Sequence, residues 1–231
     1  MMDFNAMFQT WLNVLTRPGE EVFQEEKQKE QATINTALIW VVISAVIAAI
    51  FSVFAGLISA VFNVGTGMAP FLDQLEQMDP MAAEQLGPLL GMGAEAAGFG
   101  FAAIMTTFCL TLILAPIGFL ISSGIYFVVA KLFGGTGEFE EQTYLLATFT
   151  APMTIVNSVI SLVPLLGLCI SFFLFIYQIV LTFFAIKVSH NLTTGRAVGV
   201  VLIPIAIFLL VICCIAFFVG SIIGGLAGAD F

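Results

Sequence analysis

Five stretches of the chain run without an Asp, Glu, Lys, Arg or His: residues 37–64, 101–130, 144–163, 165–186 and 197–223. About 20 apolar residues cross a bilayer core near 30 Å thick. Backbone polar groups in lipid must be satisfied within their own segment, so each stretch is expected to be a helix. Residues 101–130 fall well short of the roughly 40 that two spans need and read as one tilted helix bent at Pro116. Residues 144–186 are too many for one span, and Pro164 and Gly167 are expected to break them into a tight helical hairpin. The fold class is therefore an all-α integral membrane protein, a bundle of five transmembrane helices.

The pattern changes ahead of the first span. Phe4, Met7, Phe8, Trp11, Leu12 and Leu15 recur at the spacing of one helix face, while Asp3, Asn5, Gln9, Thr10 and Asn13 occupy the other. Arg17, Pro18 and Gly19 end that amphipathic helix. It either lies in the membrane interface or packs on its own bundle, and the spacing leaves both open. Residues 20–30 read as a solvated charged helix feeding the first span, with Glu25 and Lys29 at the favourable i,i+4 spacing. No basic leader precedes the first apolar run, so a secretory signal peptide is not expected.

Positive charge sets the orientation. With five spans, residues 1–36, 131–143 and 187–196 share one side and hold all six basic residues: Arg17, Lys27, Lys29, Lys131, Lys187 and Arg196. The long loop 65–100 and the tail 224–231 hold none. The expected topology is N-terminus cytoplasmic and C-terminus outside.

Composition supports lipid as the solvent. Of 231 residues, 60% are hydrophobic and 9% charged, with a mean hydropathy of +1.11. A soluble domain carries about a quarter charged residues. A soluble enzyme and a disulfide-stapled secreted module are excluded, and a net charge of −9 argues against a nucleic-acid partner. Cys109, Cys169, Cys213 and Cys214 all lie in apolar runs without metal-ligand or redox spacing.

Candidate chemistry is sparse. Ionisable groups inside a span mark function by default, and the five stretches hold none, so no catalytic residue, metal or cofactor is expected. His190 sits at the end of the fourth span near Lys187 and Arg196, without a deep partner. The strongest polar groups at depth are Asn157 and Gln178, on helices joined by the hairpin, which could face each other as packing contacts or line a cleft. Thr150, Pro152 and Thr154 belong to the same helix–contact or cleft set, along with Thr148, Ser158 and Ser161, whose hydroxyls can satisfy carbonyls near the proline. In the first span Ala45, Ala49, Ser52, Gly56 and Ala60 form a small-residue contact face. Gly134, Gly135 and Gly137 form a turn between helices. No strand precedes it and the Lys and Ser/Thr of a phosphate loop are absent, so nucleotide binding is not expected. Met68, Met78, Met81 and Met92 in the 65–100 loop are too irregular for copper capture, and Asn191-Leu192-Thr193 is a glycosylation acceptor on the side where it stays unmodified.

Residues 11–23 (WLNVLTRPGEEVF), 133–144 (FGGTGEFEEQTY), FTAP at 149–152, Val163-Pro164, and 179–205 (IVLTFFAIKVSHNLTTGRAVGVVLIPI) together resemble the Yip domain family, named for interaction with Ypt/Rab GTPases. The resemblance spans roughly residues 10–220 and implies a five-helix bundle with a cytoplasmic N-terminus and no enzymatic activity. The segment before the first span is short and lacks a DLYGP-type sequence, which is more similar to the prokaryotic branch, and that resemblance implies a prokaryotic plasma (inner) membrane. The expected function is a non-enzymatic membrane protein that binds or organises partners: membrane lipids, a protein partner or a second copy, and neither nucleic acid nor nucleotide. The alternative is a small permease, channel subunit or lipid-handling protein with a cleft between spans three and four.

Overall fold

The computed structural model describes residues 4–61 and 97–227. They form seven helices: α1 (Phe4–Thr16), α2 (Glu20–Lys27), α3 (Ile34–Val61), α4 (Ala97–Leu132), α5 (Phe139–Ile160), α6 (Pro164–His190) and α7 (Thr194–Ala227). No strand occurs among the described residues, and α3 to α7 are long and apolar enough to cross a membrane. The protein is a helical membrane bundle. The methionine-rich and acidic residues between 65 and 96 lie outside the described residues.

Helix bounds follow local chemistry. α5 begins at Phe139 rather than at Tyr144, because Glu140 and Glu141 sit in its first turn, where the N-terminal dipole favours negative charge. α4 continues through Pro116 as one helix. Between α5 and α6 the chain reverses within Ser161 to Val163, and Pro164 opens α6, where its missing N–H would have no partner anyway. The Gly167 N–H donates to the Val163 carbonyl at 2.6 Å. A Cβ at Gly167 would come within 2.9 Å of the Ile160 carbonyl oxygen, so the hairpin closes on a glycine.

The chain divides into two compact units. One comprises Val53–Cys109 with Ala206–Phe231. Its described helical parts expose Phe54, Phe208, Leu210, Phe217 and Phe218, a surface suited to hydrocarbon. The other comprises Met1–Ser52 with Leu110–Ile205 and contains α1, α2, α5 and α6 whole. Its core is built on Phe23, Trp40, Tyr144, Leu145, Phe149 and Leu181.

Within this second unit α5 is the central element. Its span is 56% buried, against 11–33% for the other four, and has the lowest mean hydropathy, 1.3 against 2.2–3.3. A helix that touches protein on most sides needs less hydrocarbon-like surface. That is why it tolerates Gln142, Thr143 and Thr148, all buried.

The N-terminal helices complete this unit. α1 buries Met7, Trp11 and Val14, with the Trp11 ring edge-on to Trp40 at 6.0 Å. The Tyr177 hydroxyl donates to the Leu15 carbonyl at 2.6 Å. Phe4, Phe8 and Leu12 remain exposed, so only half of the apolar face packs on the bundle. Thr10, expected on the polar face, is buried. α2 is not the solvated helix that its charge suggests. Phe23 is fully buried between Phe149 and Phe184, with centroids at 6.3 and 6.5 Å, and Glu26 is buried too. Lys29 lies beyond the end of α2 and pairs with Glu26 instead of Glu25. Ala45 and Ala49 of the small-residue face are buried inside the unit.

Candidate functional site at the proximal end

The proximal end is where α2, the 133–138 turn and the α6–α7 connection meet. α4 ends there on a pair of glycines. Gly134 takes a left-handed φ of +83°, its N–H donates to Lys131, and the Gly135 N–H donates to Ala130. This 5→2 and 6→1 pattern satisfies carbonyls left open at the helix end. The turn then lies on the end of α6, where the Thr136 N–H donates to the His190 carbonyl at 3.2 Å. A Cβ at Gly135 would sit 2.7 Å from His190 Nδ1, and one at Gly137 would overlap the Ser189 carbonyl. Glycine is required here by close backbone approach. α6 ends on Asn191, also left-handed at φ 52°, a conformation Asn tolerates better than most residues. The amides of Gly134, Gly135 and Thr136 are all engaged within the protein, as befits a structural turn.

Beneath the turn lies a buried polar chain. His190 Nε2 and Gln142 Oε1 are 2.7 Å apart. The Gln142 amide donates to the Ser123 carbonyl at 2.7 Å, and the Ser123 and Thr143 hydroxyls pair at 2.8 Å. With the Gln142 nitrogen committed to Ser123, its oxygen accepts, so His190 donates from Nε2 and Nδ1 carries the lone pair. That Nδ1 is buried without a hydrogen-bond partner. The chain ties α4, α5 and α6 together with uncharged groups.

A second cluster fastens the N-terminal helices. The Glu26 carboxylate accepts from Lys29 at 2.6 Å, Thr10 at 3.2 Å and Tyr144 at 3.3 Å. Lys27 pairs with Glu141 at 3.0 Å, and Lys187 pairs with Glu20. Glu26 was not among the sequence candidates, nor were Gln142, Thr143 and Ser123. A Phe and a Glu three apart, Phe23 and Glu26, were the available signal, since i,i+3 residues share a helix face.

The deeper candidates separate. Thr150 and Gln178 line one cavity of about 230 Å³, along with Tyr126, Ser122, Thr182 and Phe119. Asn157, half-buried, is not among its lining residues, and no hydrogen bond joins it to Gln178. Pro152 is buried in α5. The Thr154 hydroxyl turns back to the Thr150 carbonyl at 2.8 Å. Likewise, Thr148, Ser158 and Ser161 serve the carbonyls of Leu145, Ile155 and Ser158.

Four of the five short segments meet in space, while Val163-Pro164 lies at the opposite end of α5, in the hairpin. Phe23 from the first meets Phe149 and Phe184. The glycine turn rests on Ser189 and His190, and Phe133 packs against Gly199. The Yip1 domain matches residues 12–215. The chain belongs to the Yip1 domain family. No curated protein and no solved structure matches it. In this Yip1-domain protein segments 11–23, 133–144 and 179–205 thus make the proximal block.

Proposed function

We propose that this Yip1-domain protein is a non-enzymatic membrane protein that organises partners, with the proximal face turned to the cytoplasm as its docking platform. The carrying observation is that segments 11–23, 133–144 and 179–205 meet at that end, where Glu26, Tyr144, Gln142 and His190, with Thr10 and Ser123, hold three spans and two N-terminal helices in one block. A rigid, preformed surface lowers the ordering cost of association. The exposed charges at this end are mixed: Glu21, Glu25 and Glu30 lie together on the 20–30 stretch and Glu138 on the turn, beside exposed Arg17, Lys131 and Arg196. Lys27, Lys29 and Lys187 are drawn into ion pairs, so the 20–30 stretch is the acidic part of the rim. A partner with a basic cytoplasmic segment fits that rim, because opposite potentials steer association. The six basic residues at this end support a cytoplasmic N-terminus and an outside C-terminus.

The test is purification from native membranes into lipid nanodiscs, followed by mass spectrometry of what accompanies the protein. A near-stoichiometric protein is expected, lost when Glu21, Glu25 and Glu30 are changed to Lys. Retention of that protein by the triple variant would sink the acidic-rim reading. Recovery of the chain with lipid alone would sink the partner role.

A further inference from the structure

The cavity between α4, α5, α6 and α7 has a floor of Phe119, Leu146 and Thr182, all buried, and a rim that includes the exposed Ser122 and Phe175. Its depth follows from helix rise. At 1.5 Å per residue, Gln178 lies about 18 Å from the His190 end of α6, and Thr150 about 16 Å from the Phe139 end of α5. Half of a bilayer core is about 15 Å. The cavity therefore runs from near the middle of the membrane toward the proximal side, where Tyr126 lies about 9 Å from the Leu132 end of α4, and its opening faces hydrocarbon.

Three polar groups lining it make no side-chain hydrogen bond within the protein: the Gln178 amide, the Tyr126 hydroxyl and the Thr150 hydroxyl. The other two hydroxyls are committed, Ser122 to the Phe119 carbonyl at 2.9 Å and Thr182 to the Gln178 carbonyl at 2.8 Å. In a hydrocarbon surround an unpaired amide is costly. The free set offers two amide donors, one amide acceptor and two hydroxyls that both donate and accept. No lining residue is Asp, Glu, Lys, Arg or His, so nothing compensates a charge.

The geometry points to a lateral binding site for an uncharged lipid, one that carries a hydroxyl or ester group on an acyl or prenyl chain. The polar group pairs with Gln178 and Tyr126, and the chain lies along Phe119, Leu146, Phe175 and Ile179. A phosphate-bearing headgroup is disfavoured because no cation lines the cavity to compensate its charge. The volume equals that of about eight waters in the liquid, enough for the hydroxyl- or ester-bearing segment and the first few carbons beyond it. This site is independent of partner docking at the proximal face, so either can fail without the other.

The full chain is tested in phosphatidylcholine nanodiscs doped with a diazirine-bearing diacylglycerol, a diazirine-bearing prenol or a diazirine-bearing phosphatidylcholine. Peptide mapping should place the label of one neutral probe on residues 119–126 or 175–182, with competition by the same unlabelled lipid. Which neutral probe labels distinguishes the acyl from the prenyl source. Tyr126→Phe and Gln178→Leu should each lower that labelling about three- to thirtyfold, the range of one interhelical-strength hydrogen bond in a membrane. Tyr126→Phe keeps the ring and its packing, so it reads binding even if Gln178→Leu folds poorly. Equal labelling by phosphatidylcholine, or unchanged labelling in Tyr126→Phe, overturns the site. So does a Ser122→Cys variant that reacts with a charged aqueous thiol reagent, which would make the cavity a water pocket.

Discussion

At the residue scale, single methyl groups and single charges probe the proximal block. Gly137→Ala places a Cβ against the Ser189 backbone carbonyl, which cannot swing aside as a side chain would. Overpacking of this kind costs about 1–3 kcal/mol, so the melting temperature in nanodiscs should fall. Gly195→Ala is the control, because nothing lies within 4 Å of its Cβ position; its melt should stay level or rise slightly. Equal melts for the two variants would remove the close-approach explanation. The Glu26 cluster gives the charge counterpart. Lys29→Met leaves a carboxylate that is 1% exposed with only two hydroxyl donors, Thr10 and Tyr144. A buried acceptor short of a partner costs about 1–3 kcal/mol. Adding Glu26→Gln should then recover part of the loss. If the two substitutions prove simply additive in a melting cycle, the ion pair is not coupled.

At the scale of elements, the N-terminal hairpin is held by packing more than by its charges. Phe23 is the anchor, and Phe23→Ala should cost about 3–5 kcal/mol while raising the rate of tryptic cleavage at Lys27 and Lys29. Phe8→Ala on the exposed face of α1 should leave both readouts unchanged in detergent. An unchanged cleavage rate in Phe23→Ala would mean that α2 is held elsewhere. This contrast also explains what the sequence concealed. The five spans were legible because uninterrupted apolar runs admit one backbone solution in lipid. The hairpin at Pro164 and Gly167 and the glycine turn were legible because those residues leave the backbone few options. The burial of Glu26 was not legible, since a run of glutamates reads as solvated unless its tertiary partners are known. Gln142 and Thr143 were missed for a related reason: Glu140 and Glu141 cut the apolar run and hid the true start of α5. Thr150 and Gln178 share a cavity, while Asn157 does not. Amide content alone gave no register between neighbouring helices.

At the scale of the whole molecule, an odd number of spans puts the two ends of the chain on opposite sides of the membrane. The arrangement is testable with the native cysteines Cys109, Cys169, Cys213 and Cys214 replaced by Ala. Single cysteines are then introduced as Thr136→Cys in the glycine turn and Asp230→Cys in the C-terminal tail. Thr136 is exposed at the proximal end, so a membrane-impermeant maleimide should reach it only in inside-out vesicles. Asp230→Cys should be labelled only in right-side-out vesicles. Labelling of both from the same side would require an even number of crossings and would scatter the six basic residues across both faces. Labelling of each from the side opposite to expectation would keep five spans and invert the platform. The acidic rim, the Glu26 cluster and the glycine turn would then face outward, and a cytoplasmic partner would be ruled out without any change in the fold. The direction of insertion is therefore the point on which the functional reading depends, because positive charge that anchors one end of a bundle also decides which compartment can reach it.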